Sequence, residues 1–291
     1  MAQFAGIPHF VTGEYTPHHS FLPDDEYGRC LDNVVKACTD LIVYRTDGDG
    51  DGDGGRASRS GQRRVLIGQR VVQPQPDWWY GCGGRMKAGE TIFESAARTM
   101  KREMGLALDA AALQPVRGGG RFRVVGSYHY TWQFRQQAPG DHGTADVSTV
   151  VAIELTAAEI EALKMNTTEY AAWAWVDPRS VVSDRVGQGK GKGTGDGGGA
   201  APPGSPLAGS GGVMTGRVVP PPGGVTRTSR ATSEAVAHGY EGGFKYHPAL
   251  RRSCADFLRV FRWEALVAES GVLDDAALAA AFRRFLADGD E

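Results

Sequence analysis

Residues Gly83–Leu106 read GGRMKAGETIFESAARTMKREMGL, and the reading of this stretch decides the rest of the chain. A Gly-Gly turn leads through a short loop to Glu90 and then into a segment with helical period. Phe93, Ala96, Ala97, Met100 and Met104 fall on one apolar stripe. On the other side, Glu90, Glu94, Arg98 and Arg102 form an acid-to-base ladder at four-residue spacing. Glu103 sits at the edge of the stripe, where a carboxylate can look into a cleft. Gly105 then stops the helix, because glycine accepts the left-handed conformation that a helix end requires. The stretch predicts a loop, a helix and a loop.

Gly84, Glu90, Arg98, Met100, Glu103, Gly105 and Leu106 fall without a gap on a pattern of glycine, glutamate, arginine and a terminal glycine. In this the stretch resembles the Nudix box. Thr99 and Arg102 stand where that pattern has further glutamates. The resemblance implies an α+β fold, a Nudix-type α/β/α sandwich around a mixed sheet.

Reading outward toward the N-terminus, residues 1–21 are rich in Pro, Gly and His and predict an irregular arm. His18-His19 on such an arm reads as solvated. A short helix over Asp24–Asn33 precedes a strand over Val34–Arg45. Asp40 is an acid inside that apolar run, either an edge residue facing water or an acceptor for a ligand N–H. Asp47–Gly55 (DGDGDGDGG) imitates the start of a calcium loop, but Ser58 stands at the twelfth position and strands flank it. It therefore reads as a flexible hairpin insertion over about 47–62. Arg64–Arg70 returns as a strand. Trp78-Trp79-Tyr80 either stack on a base or sugar or pack beneath the Gly-Gly turn.

Toward the C-terminus, Arg121–Gln137 and Asp146–Leu155 alternate and form a hairpin. Thr156–Lys164 opens with a near capping box. Glu169–Val176 is a strand, and Asp177-Pro178 starts another helical turn. Residues 185–235 are Gly/Pro-rich and predict a linker. Its GQGKGKGTG is no phosphate loop, because the motif is incomplete and no strand feeds it. Residues 249–266 and 274–287 are helical by period, and Leu250, Phe257, Val260 and Phe261 give the first an apolar face to dock on the sandwich. The expected organisation is an arm (1–21), a Nudix domain (22–184), a linker (185–235) and C-terminal helices (236–291).

The chain has 291 residues and a net charge of −2, with no basic run, so capture of nucleic acid or a membrane surface is not suggested. Four cysteines at unrelated positions predict reduced thiols rather than zinc ligands or a disulfide frame. No apolar run approaches the ~20 residues of a membrane span. No targeting segment is seen, and a cytoplasmic location is the expectation. A homodimer is left open.

Within the superfamily the chain is most similar to the GDP-mannose mannosyl hydrolase branch, whose box keeps only the last helix glutamate. That similarity runs through Leu22–Asp40, Arg70 and Arg85–Leu106, and loosely through Tyr128–Thr149 and Glu169–Pro178. It implies Mg²⁺, with Mn²⁺ as a substitute, held by the Gly83 carbonyl and Glu103 and shared with a substrate diphosphate. Asp40 would contact the base, and Arg70, Arg85 and Arg98 would contact phosphate or sugar or orient neighbouring carboxylates. The implied substrate is a nucleotide sugar, cut at the sugar C1–O bond. Where the branch has a Gln-His pair, this chain has Glu169-Tyr170. Glu169 would act as a metal ligand or as the base, since tyrosine, with a pKa near ~10, is a poor base at neutral pH. His129 and His142 are the other candidates. Glu90–Arg98 is read equally as a clamp on the loop. Two other readings stand beside the hydrolase: a binding module without catalysis, and a pyrophosphatase cutting P–O.

Overall fold

The computed structural model describes residues 10–18, 20–47, 62–74, 76–113, 121–183, 216–217, 245–269, 280 and 283–285. Most of the glycine-rich insertion, most of the 185–235 stretch and most of the last expected helix lie outside the described residues. The elements run α1 (Asp24–Asn33), β1 (Val35–Thr46), β2 (Arg63–Arg70), β3 (Trp78–Tyr80), β4 (Cys82–Arg85), α2 (Ile92–Met104), β5 (Phe122–Trp132) and β6 (Thr144–Glu154). Then follow α3 (Ala157–Ala162), β7 (Tyr170–Val176), α4 (Pro178–Ser183), β8 (Gly216–Arg217) and α5 (Pro248–Glu269).

β1 organises the sheet because it is buried on both faces. Leu41 and Val43 point to one side and Ile42 and Tyr44 to the other, and all four are almost fully buried. β6 lies parallel to β1, from Val35↔Ala145 to Tyr44↔Glu154, and the other pairings are antiparallel. The path is β5-β6-β1-β2-β7-β8. The sheet is therefore mixed, as expected.

Between β1 and β2 the sheet splits. Tyr44–Thr46 pair with β2, whereas Cys38–Leu41 pair with β4. β2 in turn pairs with β3 through Ile67–Gln69. The β3–β4 ribbon is thus a wedge between two strands that touch at only one end. Neither short strand is legible from the sequence, because three aromatics followed by glycines carry no alternation.

One helical layer covers each face. α2 buries Ile92, Ala96, Met100 and Met104 against Leu41, Val43, Leu66 and Ile153. Thr91 caps it: its hydroxyl accepts from the Glu94 amide at 3.2 Å, and the Glu94 carboxylate accepts from the Thr91 amide at 2.8 Å. Gly105 closes it with φ +68°. The expected charge ladder is not what forms. Glu90 precedes the helix, Glu94 is spent on the cap, and Arg102 turns to Glu103.

α5 covers the opposite face. Leu250, Cys254, Phe257 and Phe261 pack on Ile42, Tyr44, Val65 and Ala152, while Val260 stays half-buried. The Phe257 and Phe261 rings meet Tyr44 edge-on at 5.2 and 5.3 Å. β8, inside the expected linker, adds a two-residue edge to β7. Around the expected insertion, the Asp47 amide donates to Gln62 at 3.0 Å, and its carboxylate pairs with Arg45 and Arg64. No helix among the described residues is long and apolar enough to cross a membrane.

Because α5 completes the core, Phe257→Ala should cost about 3–5 kcal/mol of stability, as a buried phenylalanine cavity does. Urea unfolding of the two proteins measures it. A loss below about 1 kcal/mol would mean that α5 is an ornament on a core complete without it.

Candidate active site

The cleft opens where the sheet splits. Along β1 the side chains of Lys36, Cys38 and Asp40 share the parity of Ile42 and Tyr44, so the face that is core under α5 becomes the cleft wall beyond it. β5 and β6 add Tyr130, Trp132 and Asp146, and Arg70, Glu169 and Tyr170 close the far side.

The wall is aromatic. Trp79 meets Tyr130 at 5.8 Å and Trp132 at 5.6 Å, both edge-on, and Tyr130 stacks on Trp132 at 5.3 Å. His247, just before α5, packs on Trp79 and Trp132, and burial lowers its pKa to about 4. This histidine escaped the sequence reading, because only the docking of α5 brings it here. The Trp78-Trp79-Tyr80 cluster divides its roles: Trp79 and Tyr80 line the cleft and are also core.

Acids and bases face each other across the opening. Asp146 takes Lys36 at 3.0 Å and the Trp132 indole N–H at 2.9 Å. Asp40 accepts from the Ser148 hydroxyl at 2.7 Å. A side chain on Gly83 would put its Cβ 2.0 Å from the Asp40 carboxylate, so any larger residue there would have to displace that carboxylate. Arg70 approaches Glu169 at 3.9 Å. The Arg85 guanidinium lies 4.6 Å over the Tyr27 ring of α1.

Glu103 lies deepest and is 1% exposed. One of its oxygens accepts from the Gly83 amide at 3.2 Å and from the Tyr170 hydroxyl at 3.1 Å. The other is bonded by Arg102, whose same nitrogen also reaches the Gly83 carbonyl at 3.3 Å. Burial first, and Glu169 second, push the Glu103 carboxyl above the usual range, while Arg102 and the Gly83 amide pull it back. Burial and Glu103 raise the Tyr170 phenol well above its ordinary value, so Tyr170 stays a donor. Sequence reading weighed Tyr170 only as a base; its service to Glu103 is a tertiary fact.

Arg98 is not in the cleft. Its guanidinium grips Glu90 at 2.5 and 2.8 Å and donates to the Arg85 carbonyl at 2.9 Å. In this arrangement it clamps the loop to α2. His142 binds Asp32 at 3.2 Å, away from the cleft, and His129 is exposed on β5. Neither lines the opening. The cysteines are free thiols, three of them buried.

The Gly83 carbonyl and Glu103 have the oxygen chemistry that Mg²⁺ takes. In this arrangement, however, one guanidinium nitrogen already bridges both, and among the described residues no cluster of three or more His, Cys, Asp or Glu could hold a metal. The residues as placed do not fit a resident divalent ion.

A split mixed sheet between helical layers, with a loop-helix-loop that puts a buried glutamate at the split, is the α+β architecture of the Nudix fold. A family model for the NUDIX domain matches residues 57–194, just under half of the chain. A Caenorhabditis elegans protein named as a nudix hydrolase is 30% identical over 110 residues, covering 36% of this chain and 27% of its own length. The chain thus spans about a quarter of that relative. Among solved structures, the Ap4A hydrolase of C. elegans is 12% identical over 51% of this chain and 85% of its own, with a TM-score of 0.30. The NUDIX domain of Shewanella oneidensis NrtR, complexed with ADP ribose, is 13% identical over 55% and 86%, with a TM-score of 0.31. Likenesses so faint carry nothing about substrate.

Asp40 gives the site a pH signature. Burial, its largest influence, raises its carboxyl to about 6, against the opposing pull of Ser148 and Arg70. The folded chain therefore holds this proton more tightly than the unfolded chain, whose aspartates titrate near ~3.9. Asp40 contributes stability that is complete below about pH 4 and lost as the pH climbs through 6. Relative to Asp40→Asn, the wild type should lose up to roughly 2 kcal/mol between pH 4 and 7 in urea unfolding. Parallel stability curves for the two proteins would refute the raised carboxyl.

Proposed function

We propose that the protein hydrolyses a nucleoside diphosphate-linked compound, with sugar-linked diphosphates as the substrate class and the sugar C1–O bond as the one broken. The observation that carries this reading is the juxtaposition, in one cleft, of an aromatic wall with Arg70 and the partly exposed carboxylate of Glu169.

Trp79, Tyr130 and Trp132 offer ring faces and edges to a base or sugar, and Asp40, rimmed by these rings, is an acceptor for a base N–H. Arg70 and Arg85 offer planar N–H forks to phosphate oxygens. Glu169 is the base: it takes a proton from water as the water oxygen bonds to C1. The C1–O electron pair leaves with the nucleoside diphosphate, and the arginines stabilise the charge that grows there. Cleavage at carbon suits this donor set, because the leaving group already carries its charge on phosphate and needs cations more than clustered carboxylates. The Mg²⁺ that the resemblance implies is assigned no step, since Arg102 bridges the oxygens that would hold it.

A binding module without catalysis is favoured by one observation: the Glu103 oxygens are already bonded by Arg102, Tyr170 and Gly83. Incubation with a panel of nucleotide sugars, with and without Mg²⁺, separates the readings by their products. Nucleoside diphosphate plus free sugar is expected. Nucleoside monophosphate plus sugar phosphate would instead mean cleavage at phosphorus, and binding without turnover would mean a module. Glu169→Gln should lower kcat by about 10²–10⁴-fold with little change in KM, as loss of a general base does. An unchanged kcat removes Glu169 from the mechanism.

A further inference from the structure

We propose that Arg102 is the built-in cation of this site: its guanidinium stands where a divalent metal ion would otherwise bind between the Gly83 carbonyl and Glu103, and it keeps such an ion out. The proposal concerns the same cleft as the hydrolase reading and deepens it, but it does not need turnover to be tested.

The argument begins with Glu103. A carboxylate at 1% exposure is costly unless a positive charge and hydrogen bonds compensate it. Two neutral donors, the Gly83 amide and the Tyr170 hydroxyl, serve one oxygen. The second oxygen is served by Arg102, which is also drawn to the Gly83 carbonyl. A carboxylate oxygen and a carbonyl oxygen therefore converge on a single cationic nitrogen. Two hard oxygens meeting at one point is what a small divalent cation asks for, and Glu169 adds negative charge close enough to act on both Glu103 and Arg102. A guanidinium at that point satisfies the same oxygens and the same charge.

Arg102 is held there by its neighbours as well. It lies in the last turn of α2, immediately before Glu103, and a side chain on Gly84 would meet its guanidinium at 3.0 Å, so the Gly-Gly turn leaves the room it uses. Both glycines line the cleft, which puts the guanidinium at its edge. Its side chain is half exposed while that of Glu103 is sealed, as expected for a cation inserted from the solvent side. A guanidinium has five N–H donors in a fixed fork, and only one nitrogen is spent on this pair, so the group retains donors for a phosphate. A diphosphate entering the cleft would thus meet a side-chain cation where a metal-loaded site would offer an ion.

The test is a Mn²⁺ titration of the full chain followed by electron paramagnetic resonance, on wild type, Arg102→Glu, Arg102→Gln and Arg102→Glu combined with Glu103→Gln. Thermal melts first show which variants are folded; Arg102→Gln, which adds no charge, covers the case in which the glutamate variant is not. Wild type is expected to show no specific Mn²⁺ site. Removing Arg102 should create one site, at least about tenfold tighter than anything wild type displays, and the added Glu103→Gln should abolish it. A wild-type site within about tenfold of the variants would overturn the proposal, as would folded Arg102 variants that take up no Mn²⁺. Neither outcome depends on whether any nucleotide sugar is turned over. A failed activity assay would sink the hydrolase reading and leave this one standing.

Discussion

The structure depends most on the burial of one carboxylate. Glu103 sits on the floor of the split sheet, where an uncompensated charge is costly, and every group that reaches it is thereby fixed in place. The Gly83 amide holds the wedge strand against α2. The Tyr170 hydroxyl ties the start of β7 to the same point, and Arg102 brings the charge that makes the burial tolerable. Strand, helix and loop meet at one side chain, which is why the geometry of the cleft is tied to the packing of the core.

The split itself follows from the β3–β4 ribbon. β1 and β2 touch at Tyr44–Thr46 and part beyond it, and the ribbon fills the gap with one strand on each. A continuous sheet would satisfy its backbone and leave no opening; a split one without a wedge would leave unpaired amides. α5 matters for the same reason. It covers the sheet face under Ile42 and Tyr44, leaving the face of Lys36, Cys38 and Asp40 as the wall of an opening. One strand is therefore core at one end and cleft at the other.

The box stretch was legible because a helix with an apolar stripe, a capping threonine and a terminal glycine announces itself locally. Strands β1, β2, β5, β6 and β7 were legible from alternation or from short apolar runs between turns. What escaped was whatever depends on distant partners. The charge ladder on α2 was a sound local expectation, yet Glu94 found a cap and Arg102 found a buried carboxylate, each a stronger electrostatic partner than a solvated neighbour one turn away. Arg98 looked equally suited to a ligand and to a clamp, and only the position of Glu90 after folding gives it the clamp. His247 had no signal at all, since its neighbours Trp79 and Trp132 lie more than a hundred residues away.

By itself the sequence determined the class of fold, through periodicity, caps and the spacing of seven residues in the box, because these are interactions of the chain with itself over a few residues. It also put Glu103 and Arg102 side by side. Only the tertiary structure decided that they would bond to each other around the Gly83 carbonyl, because charge pairing in a buried site is settled by which groups lose their water together. That loss happens when α2, the wedge and β7 close on one another, and no local pattern encodes it.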